Sequence, residues 1–179
     1  MQKLYKKKST RIGILGGTFD PPHQGHLYIS KISLRKLRLN KLIWAVTKKN
    51  PLKQKPRLSL KVRINLSKKI VKKERKIFVN FFEDQISSAN TFNLLSFIKK
   101  KNQKSKIFFL IGSDNLAKFH KWEKWEKIIN LAKLVIFPRK NYSIRSLNPS
   151  VSKKLSKNDF IYINAKKINI SSSLIRKLW

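Results

Sequence analysis

Short apolar runs alternate along this chain with longer segments in which apolar residues recur at helical spacing. The runs are rich in Ile, Val, Leu and Phe, which is typical of strands buried on both faces of a sheet. Such alternation predicts βαβ units and therefore a single-domain α/β fold with a Rossmann-like, doubly wound parallel sheet. The predicted strands cover residues 11–16, 42–47, 77–82, 106–112, 133–137 and 160–163. The predicted helices cover about 24–39, 59–72, 91–101, 122–130, 149–155 and 172–178.

The length of 179 residues suits one domain with a hydrophobic core. Residues 1–10 are predicted to form a basic N-terminal tail and residues 11–179 the domain. The tail lacks the apolar stretch of a signal peptide, and the apolar run 107–111 is far short of a bilayer span. We therefore expect a cytoplasmic protein with no membrane partner. The absence of cysteine excludes disulfides, thiol catalysis and Cys-ligated metals.

The formal net charge is +35, from 43 basic and 8 acidic residues. A charge of this size makes nucleic acid a candidate partner. The lysines are, however, spread along the whole chain among many Ile and Asn residues, which is typical of an A/T-rich coding sequence. We therefore predict no specific nucleic-acid partner and leave weak non-specific binding open. A positive surface would also attract small anions such as nucleotides.

Glycine and histidine residues concentrate where predicted strands end. Gly16 and Gly17 close the first strand, and Gly112 closes the fourth. A DPP turn then leads to His23 and His26, three residues apart in the first turn of the next helix. Open α/β sheets bind ligands at this edge, and a helix N-terminus attracts phosphate. The pattern therefore predicts a polyphosphate pocket.

The same stretch excludes some other sites. It lacks the glycine spacing of a P-loop and of a dinucleotide-binding turn. A zinc ion needs three or four protein ligands, and His120 is the one further histidine in the chain. We therefore predict no protein-bound metal site.

Four motifs in this chain resemble those of one family. GGTFDPPHQGH at 16–26 is similar to the signature of the bacterial nicotinate-nucleotide adenylyltransferases, members of the nucleotidylyltransferase superfamily with H-x-G-H motifs. The segments WAVTKKNPLK at 44–53, FLIGSDNLAKFHKW at 109–122 and ISSSLIR at 170–176 are similar to three further family motifs. Together they span residues 11–176 in the family's order.

The resemblance implies transfer of the adenylyl group of ATP to nicotinate mononucleotide, with release of pyrophosphate, in NAD biosynthesis. Mg²⁺ would arrive with ATP. The implied catalytic residues are His23, His26 and Arg176. The implied ATP-binding residues are Gly16, Gly17, Thr18, Phe19, His23, His26, Gly112, Asp114, Ser172, Ser173 and Arg176. Asp114 would bind ribose, with a helix N-cap as its alternative role.

The resemblance also implies mononucleotide-binding roles for Asn50, Lys53, Thr91 and Trp122. Trp122 would stack on the cationic pyridinium ring, with hydrophobic packing as the alternative. Ser173 stands where the family commonly has Thr, and Asn90 and Leu94 depart from the motif around Thr91. Open alternatives are nicotinamide mononucleotide as the substrate, a pantetheine-phosphate-type transferase and a nucleic-acid-binding protein. A monomer and a homo-oligomer both stay open.

Overall fold

The computed structural model describes residues 9–50, 52, 54–139, 148–165 and 172–177. Six strands form one sheet in the order β3-β2-β1-β4-β5-β6, and all neighbouring strands are parallel. The strands are β1 (Arg11–Gly17), β2 (Lys41–Val46), β3 (Ile77–Phe81), β4 (Lys106–Gly112), β5 (Lys133–Phe137) and β6 (Phe160–Tyr162). Every predicted strand is present, and the α/β, doubly wound prediction is confirmed.

Helices connect successive strands and cover both faces of the sheet. They are α1 (Gln24–Lys36), α2 (Leu60–Val71), α3 (Glu83–Ile86), α4 (Thr91–Lys101), α5 (Ser113–Leu116), α6 (Trp125–Leu131), α7 (Pro149–Lys154) and α8 (Ser172–Lys177). The sequence analysis missed the one-turn helices α3 and α5, because four residues are too few for a helical period to show. Among the described residues, no helix is long and apolar enough to span a membrane.

The predicted helix 122–130 is shorter in the structure. A 3-10 turn covers Phe119–Lys121, Trp122 is extended, and α6 begins only at Trp125. The aromatic side chains explain this break. Phe119 is fully buried, and its ring contacts both Trp122 and Trp125 at centroid distances of 5.4 and 5.7 Å. Burial of three rings in one cluster outweighs helix propensity in so short a segment.

Two hydrophobic layers enclose the sheet. One contains Ile12, Ile14 and Ile43 from the strands with residues of α4 and α6. The other contains Leu15 and Trp44 with residues of α1 and α2 packed against it. Because alternate residues of each strand point to opposite faces, both layers draw on the same strands. The double-sided burial explains why the strands appear as continuous apolar runs.

The strand order places a crevice at one position on the sheet. β1 pairs with β2 on one side and with β4 on the other, so the connections leave β1 in opposite directions. Ligands of open α/β sheets bind outside the carboxyl ends of the strands at such a reversal. The motif after β1 and the Gly112 segment after β4 both lie at that edge.

Candidate active site

The two histidines form the N-terminal cap of α1. His23 is the N-cap residue, and its Nδ1 accepts a hydrogen bond from the backbone N–H of Gly25 at 3.1 Å. Nδ1 of His26 accepts from the backbone N–H of His23 at 3.2 Å. The two rings thus satisfy two backbone donors at the N-terminal end of α1. Since each Nδ1 accepts, the proton of each neutral ring is on Nε2.

His23 is a neutral donor at pH 7. Its ring is buried, with 5% of the residue exposed. Burial, the larger cause, and the positive charge of Arg139 together lower the pKa of His23 from 6.5 to about 4. The resemblance implies a catalytic role for His23 without fixing the charge of its ring. The structure provides an Nε2–H hydrogen-bond donor, and a bound anion would favour its protonated form.

The lowered pKa of His23 predicts a pH dependence of stability. Between about pH 6.5 and 4 the unfolded chain takes up a proton on this ring while the folded chain does not, so the free energy of unfolding falls as the pH falls. We expect a loss of up to about 1.4 kcal/mol per pH unit in this range. Urea unfolding at pH 7, 6 and 5 measures it.

His23→Asn is the matched control for this measurement. Asparagine is a good N-cap residue and does not titrate. The variant should therefore lose less stability than the wild-type protein between pH 7 and 5. Parallel pH profiles for the two proteins would contradict the lowered pKa.

Aromatic rings hold His26 in place. Its ring packs against Phe19 at a centroid distance of 4.8 Å and against His23 at 3.8 Å. Phe19 in turn stacks on Trp44, which is fully buried and donates from Nε1 to Ser30 Oγ at 2.8 Å. The side chain of Phe19 thus belongs to the core, so its predicted contact with ATP would come from its backbone. Trp44 is a core residue.

The C-terminal helix α8 docks on the turn between β1 and α1. Ser172 Oγ donates to the carbonyl oxygen of Pro21 at 2.8 Å. Nη1 of Arg176 donates to the carbonyl oxygen of Asp20 and lies 3.6 Å from Oδ2 of its carboxylate. Nη2 of Arg176 donates to Ser173 Oγ at 3.2 Å. Residues that are about 150 positions apart in the chain therefore meet at one turn.

Asp20 connects the segments that come together at this turn. The sequence analysis did not select it. Its carboxylate is buried and accepts from the backbone N–H groups of Arg57 and Leu58, each at 2.9 Å. Arg57 Nη1 donates to the carbonyl oxygen of Arg176 at 2.7 Å. Asp20 thus joins the β1–α1 turn, the segment before α2 and α8. Its place within the glycine–histidine motif was an available signal.

A second missed residue is Arg63 on α2, which is 2% exposed. Its guanidinium donates to the carbonyl oxygens of Thr18, Thr47 and Lys48 at 2.5, 2.7 and 3.2 Å, and Nε donates to Leu58 O at 3.0 Å. Burial lowers the pKa of Arg63, while Asp20 and Glu83 raise it. In a chain with 43 basic residues, nothing in the sequence distinguishes this arginine.

A cavity of about 290 Å³ opens beside β1 at the carboxyl edge of the sheet. It brings together five predicted residues, namely Gly16, Gly17, Asn50, Thr91 and Trp122. Phe82, Glu83, Asn90 and Glu123 also line it, and Asn90 Nδ2 donates to a Glu123 carboxylate oxygen at 2.9 Å. Lys53 lies outside the described residues. The size is at the lower end of small-molecule pockets, about 300–1,000 Å³.

Asp114 lies after β4 but does not cap α5. Gly112 is the N-cap residue and Asp114 is in the first turn. Oδ1 of Asp114 is 4.0 Å from Nε of Arg139, and a Cβ on Gly112 would approach Oδ1 to 2.3 Å. Any other residue at position 112 would therefore require the Asp114 carboxylate to shift. Arg139, which the sequence analysis did not select, is a third missed residue because its charge also lowers the pKa of His23.

The parallel sheet, its crevice at the reversal beside β1 and the histidine-capped helix define a nucleotidylyltransferase. The cytidylyltransferase-like family model matches residues 14–178. The chain belongs to the family of nicotinate-nucleotide adenylyltransferases within this group. The family and the nucleotidyltransferase class predicted from the motifs are thereby confirmed.

Relatives and a solved structure support this assignment. A protein of Pelagibacter ubique (strain HTCC1062) described as "Probable nicotinate-nucleotide adenylyltransferase" is 46% identical over 172 residues, 96% of this chain and 95% of its own length. One of Agrobacterium fabrum (strain C58 / ATCC 33970) with the same description is 36% identical, over 81% of this chain and 78% of its own. The Plasmodium falciparum nicotinic acid mononucleotide adenylyltransferase complexed with NaAD superposes with a TM-score of 0.76, at 26% identity, over 94% of this chain and 83% of its own.

Proposed function

We propose that this enzyme transfers the adenylyl group of ATP to nicotinate mononucleotide, giving nicotinate adenine dinucleotide and pyrophosphate. One observation carries the proposal for this chain. The docking of α8 brings Arg176 and two serines to the turn that holds His23 and His26, while Gly16 and Gly17 at the start of that turn line the cavity. A triphosphate site and a second-substrate site would then meet at the end of β1.

The reaction needs positioning more than proton transfer. The attacking group is a phosphate oxygen of the mononucleotide, which is already anionic at pH 7. It forms a bond to the α-phosphorus of ATP, the bond from that phosphorus to the bridging oxygen breaks, and the electron pair leaves with pyrophosphate. Catalysis then consists of alignment and stabilisation of negative charge on the phosphoryl oxygens.

The histidines and Arg176 would stabilise the leaving pyrophosphate. Nε2–H of His23 and of His26 would donate to the α- and β-phosphate oxygens, since Nδ1 of each ring is used in the cap. Arg176 would add a planar cation, with Ser172 and Ser173 as hydroxyl donors. Backbone and hydroxyl groups of Thr18 and of neighbouring residues would hold the remaining oxygens.

Mg²⁺ would enter as part of the ATP substrate. Among the described residues, no group of three or more His, Asp or Glu side chains is placed to hold a metal ion. Asp20, the carboxylate nearest to the turn, is already bonded to two backbone N–H groups and paired with Arg176. The ATP phosphates are the ligands that Mg²⁺ commonly uses in such sites.

The cavity would hold the mononucleotide. Trp122 lines the cavity and contacts Phe109 and Phe119 edge to face at centroid distances of 6.0 and 5.4 Å. These two ring contacts hold the indole in place. An indole face stabilises a cationic pyridinium ring. Asn50 and Thr91 would supply polar contacts. The cytoplasmic location of the enzyme stays a prediction, and a monomer and a homo-oligomer both stay open.

Pyrophosphate release tests the proposal. The purified enzyme is given ATP and Mg²⁺ with either nicotinate mononucleotide or nicotinamide mononucleotide, and initial rates are measured for each. We expect the higher kcat/KM with the nicotinate substrate. A higher value with the nicotinamide substrate would reassign the acceptor, and no release with either would contradict the proposal.

Replacement of Trp122 tests the stacking role. We expect Trp122→Ala to raise KM for the mononucleotide by about tenfold or more, which corresponds to about 1.4 kcal/mol or more of lost cation–π and stacking energy. KM for ATP should change little. Steady-state kinetics with each substrate varied in turn measures both constants.

Trp125→Ala is the matched control, because Trp125 contacts the same Phe119 ring at 5.7 Å from α6. It should reduce stability without selectively raising KM for the mononucleotide. An increase in KM for ATP alone in the Trp122 variant would show that the stacking assignment is wrong.

A further inference from the structure

Three segments at the amino edge of the sheet are strongly basic. The first, 35–41, runs from the end of α1 to the start of β2. The second, 72–76, connects α2 to β3, and the third, 99–106, runs from the end of α4 to the start of β4. Thirteen of these twenty residues are Lys or Arg, and one, Glu74, is acidic. Glu74 is paired with Lys31 at 2.8 Å. We call the three segments together the basic edge.

Backbone hydrogen bonds show that the segments are neighbours in space. The N–H of Leu42 donates to the carbonyl oxygen of Lys76 at 2.8 Å, and that of Asn40 donates to Arg11 O at 2.8 Å. On the other side, the N–H of Lys106 donates to Thr10 O at 2.8 Å. The order β3-β2-β1-β4 therefore places the segments in one row. At about 4.8 Å between strands, the row is about 14 Å long.

Helix dipoles explain only part of this charge. Cations are favoured in the last turn of a helix, and the effect falls off beyond that turn. This accounts for Arg35 and Lys36 on α1 and for the three lysines that end α4. It does not account for the basic residues of the loops and strand starts, which are Arg38, Lys41, Lys73, Arg75, Lys76, Lys104 and Lys106.

The positions of the acidic residues add to the difference in charge between the two edges of the sheet. Five of the eight acidic residues follow strands at the opposite, carboxyl edge or line the cavity there. They are Asp20, Glu83, Asp84, Asp114 and Glu123.

We propose that the basic edge binds the phosphate backbone of double-stranded nucleic acid without sequence specificity. A duplex carries one charge per about 1.7 Å with both strands counted, so a 14 Å length of duplex contains about eight phosphates, of which one side faces the row. The three segments contain no aromatic residue on which the bases of a single strand could stack. Their leucines, Leu37 and Leu39, are buried, so the three segments themselves present no apolar side chain to a membrane.

Two triple variants of equal charge test the proposal. In the edge variant, Lys36→Gln, Lys73→Gln and Lys104→Gln change one exposed lysine in each segment. In the control, Lys61→Gln, Lys118→Gln and Lys127→Gln change three exposed lysines elsewhere. Fluorescence anisotropy measures Kd for labelled 16-bp DNA and RNA duplexes and for a single-stranded 16-mer at 50 to 200 mM NaCl. Flotation with phosphatidylserine-containing vesicles tests membrane binding.

We expect the wild type to bind both duplexes more tightly than the single strand. The edge variant should raise Kd at least tenfold at 100 mM NaCl and reduce the slope of log Kd against log salt by about 2 to 3. The control should change Kd less than threefold, and both variants should keep the kcat of the transferase. The proposal is overturned if the wild type does not bind the duplexes, or if the edge variant and the control weaken duplex binding equally. It is also overturned if the protein binds the vesicles more strongly than the duplexes.

Discussion

Replacing His26 with Asn should lower kcat by about 10²- to 10³-fold while the melting temperature stays close to that of the wild type. The reason lies in the two ring nitrogens. Nδ1 of His26 accepts from the backbone N–H of His23, and the Asn side-chain oxygen is at the same distance from the backbone and can replace it. The Nε2–H donor toward the phosphates has no equivalent in Asn. Rapid-quench or steady-state measurement of pyrophosphate release, with circular dichroism, checks both effects.

His26→Gln is the complementary variant. Its amide reaches the position of Nε2 but not that of Nδ1, so it should retain more activity than His26→Asn and lose more stability. If His26→Asn kept the full kcat, Nε2 would have no part in the reaction. If both variants lost activity and unfolded together, the role of His26 would be limited to the cap.

Replacing Arg63 with Met should destabilise the fold by about 3 kcal/mol or more. The guanidinium is buried and donates to four backbone carbonyl oxygens from three segments, those of Thr18, of Thr47 and Lys48, and of Leu58. Methionine would fill part of the volume but leave those acceptors without a donor in a buried place. Urea denaturation at pH 7 measures the loss.

Lys68→Met is the matched control, since it removes one positive charge from an exposed position on the same helix. Its effect should stay within about 0.5 kcal/mol. Arg63→Lys should also destabilise, because an ammonium group cannot reproduce the planar fork of donors. Equal stability of the Arg63→Met and Lys68→Met variants would contradict the structural role of Arg63.

The strands could be predicted because burial on both faces requires a continuous run of apolar residues. The larger helices could be predicted because their apolar residues recur at helical spacing. β4 appears as an uninterrupted apolar run, and α2 follows the Ser59 that caps it. The helix predictions that failed did so for a physical reason. The one-turn helices α3 and α5 are too short for periodicity, and the start of α6 depends on how Phe119, Trp122 and Trp125 pack.

The candidate site divides in the same way. The motif at 16–26 indicated the residues of the α1 cap, and the resemblance indicated Asn50, Thr91 and Trp122, which the structure places around one cavity. Arg63 and Arg139 were not distinguishable from other basic residues. Their importance depends on which carbonyl oxygens and charges surround them, and that is a property of the folded chain.

The amino-acid sequence by itself determined the sheet, the family and the short glycine- and histidine-containing segments of the candidate site, because these depend on local patterns of apolar residues, glycine and histidine. Tertiary structure alone decided that His23 is a neutral donor, that α8 docks on the turn at Asp20, and that three basic segments distant in the chain lie side by side at one edge of the sheet. Desolvation, ion pairing and the shared direction of parallel strands act between residues that are distant in the chain.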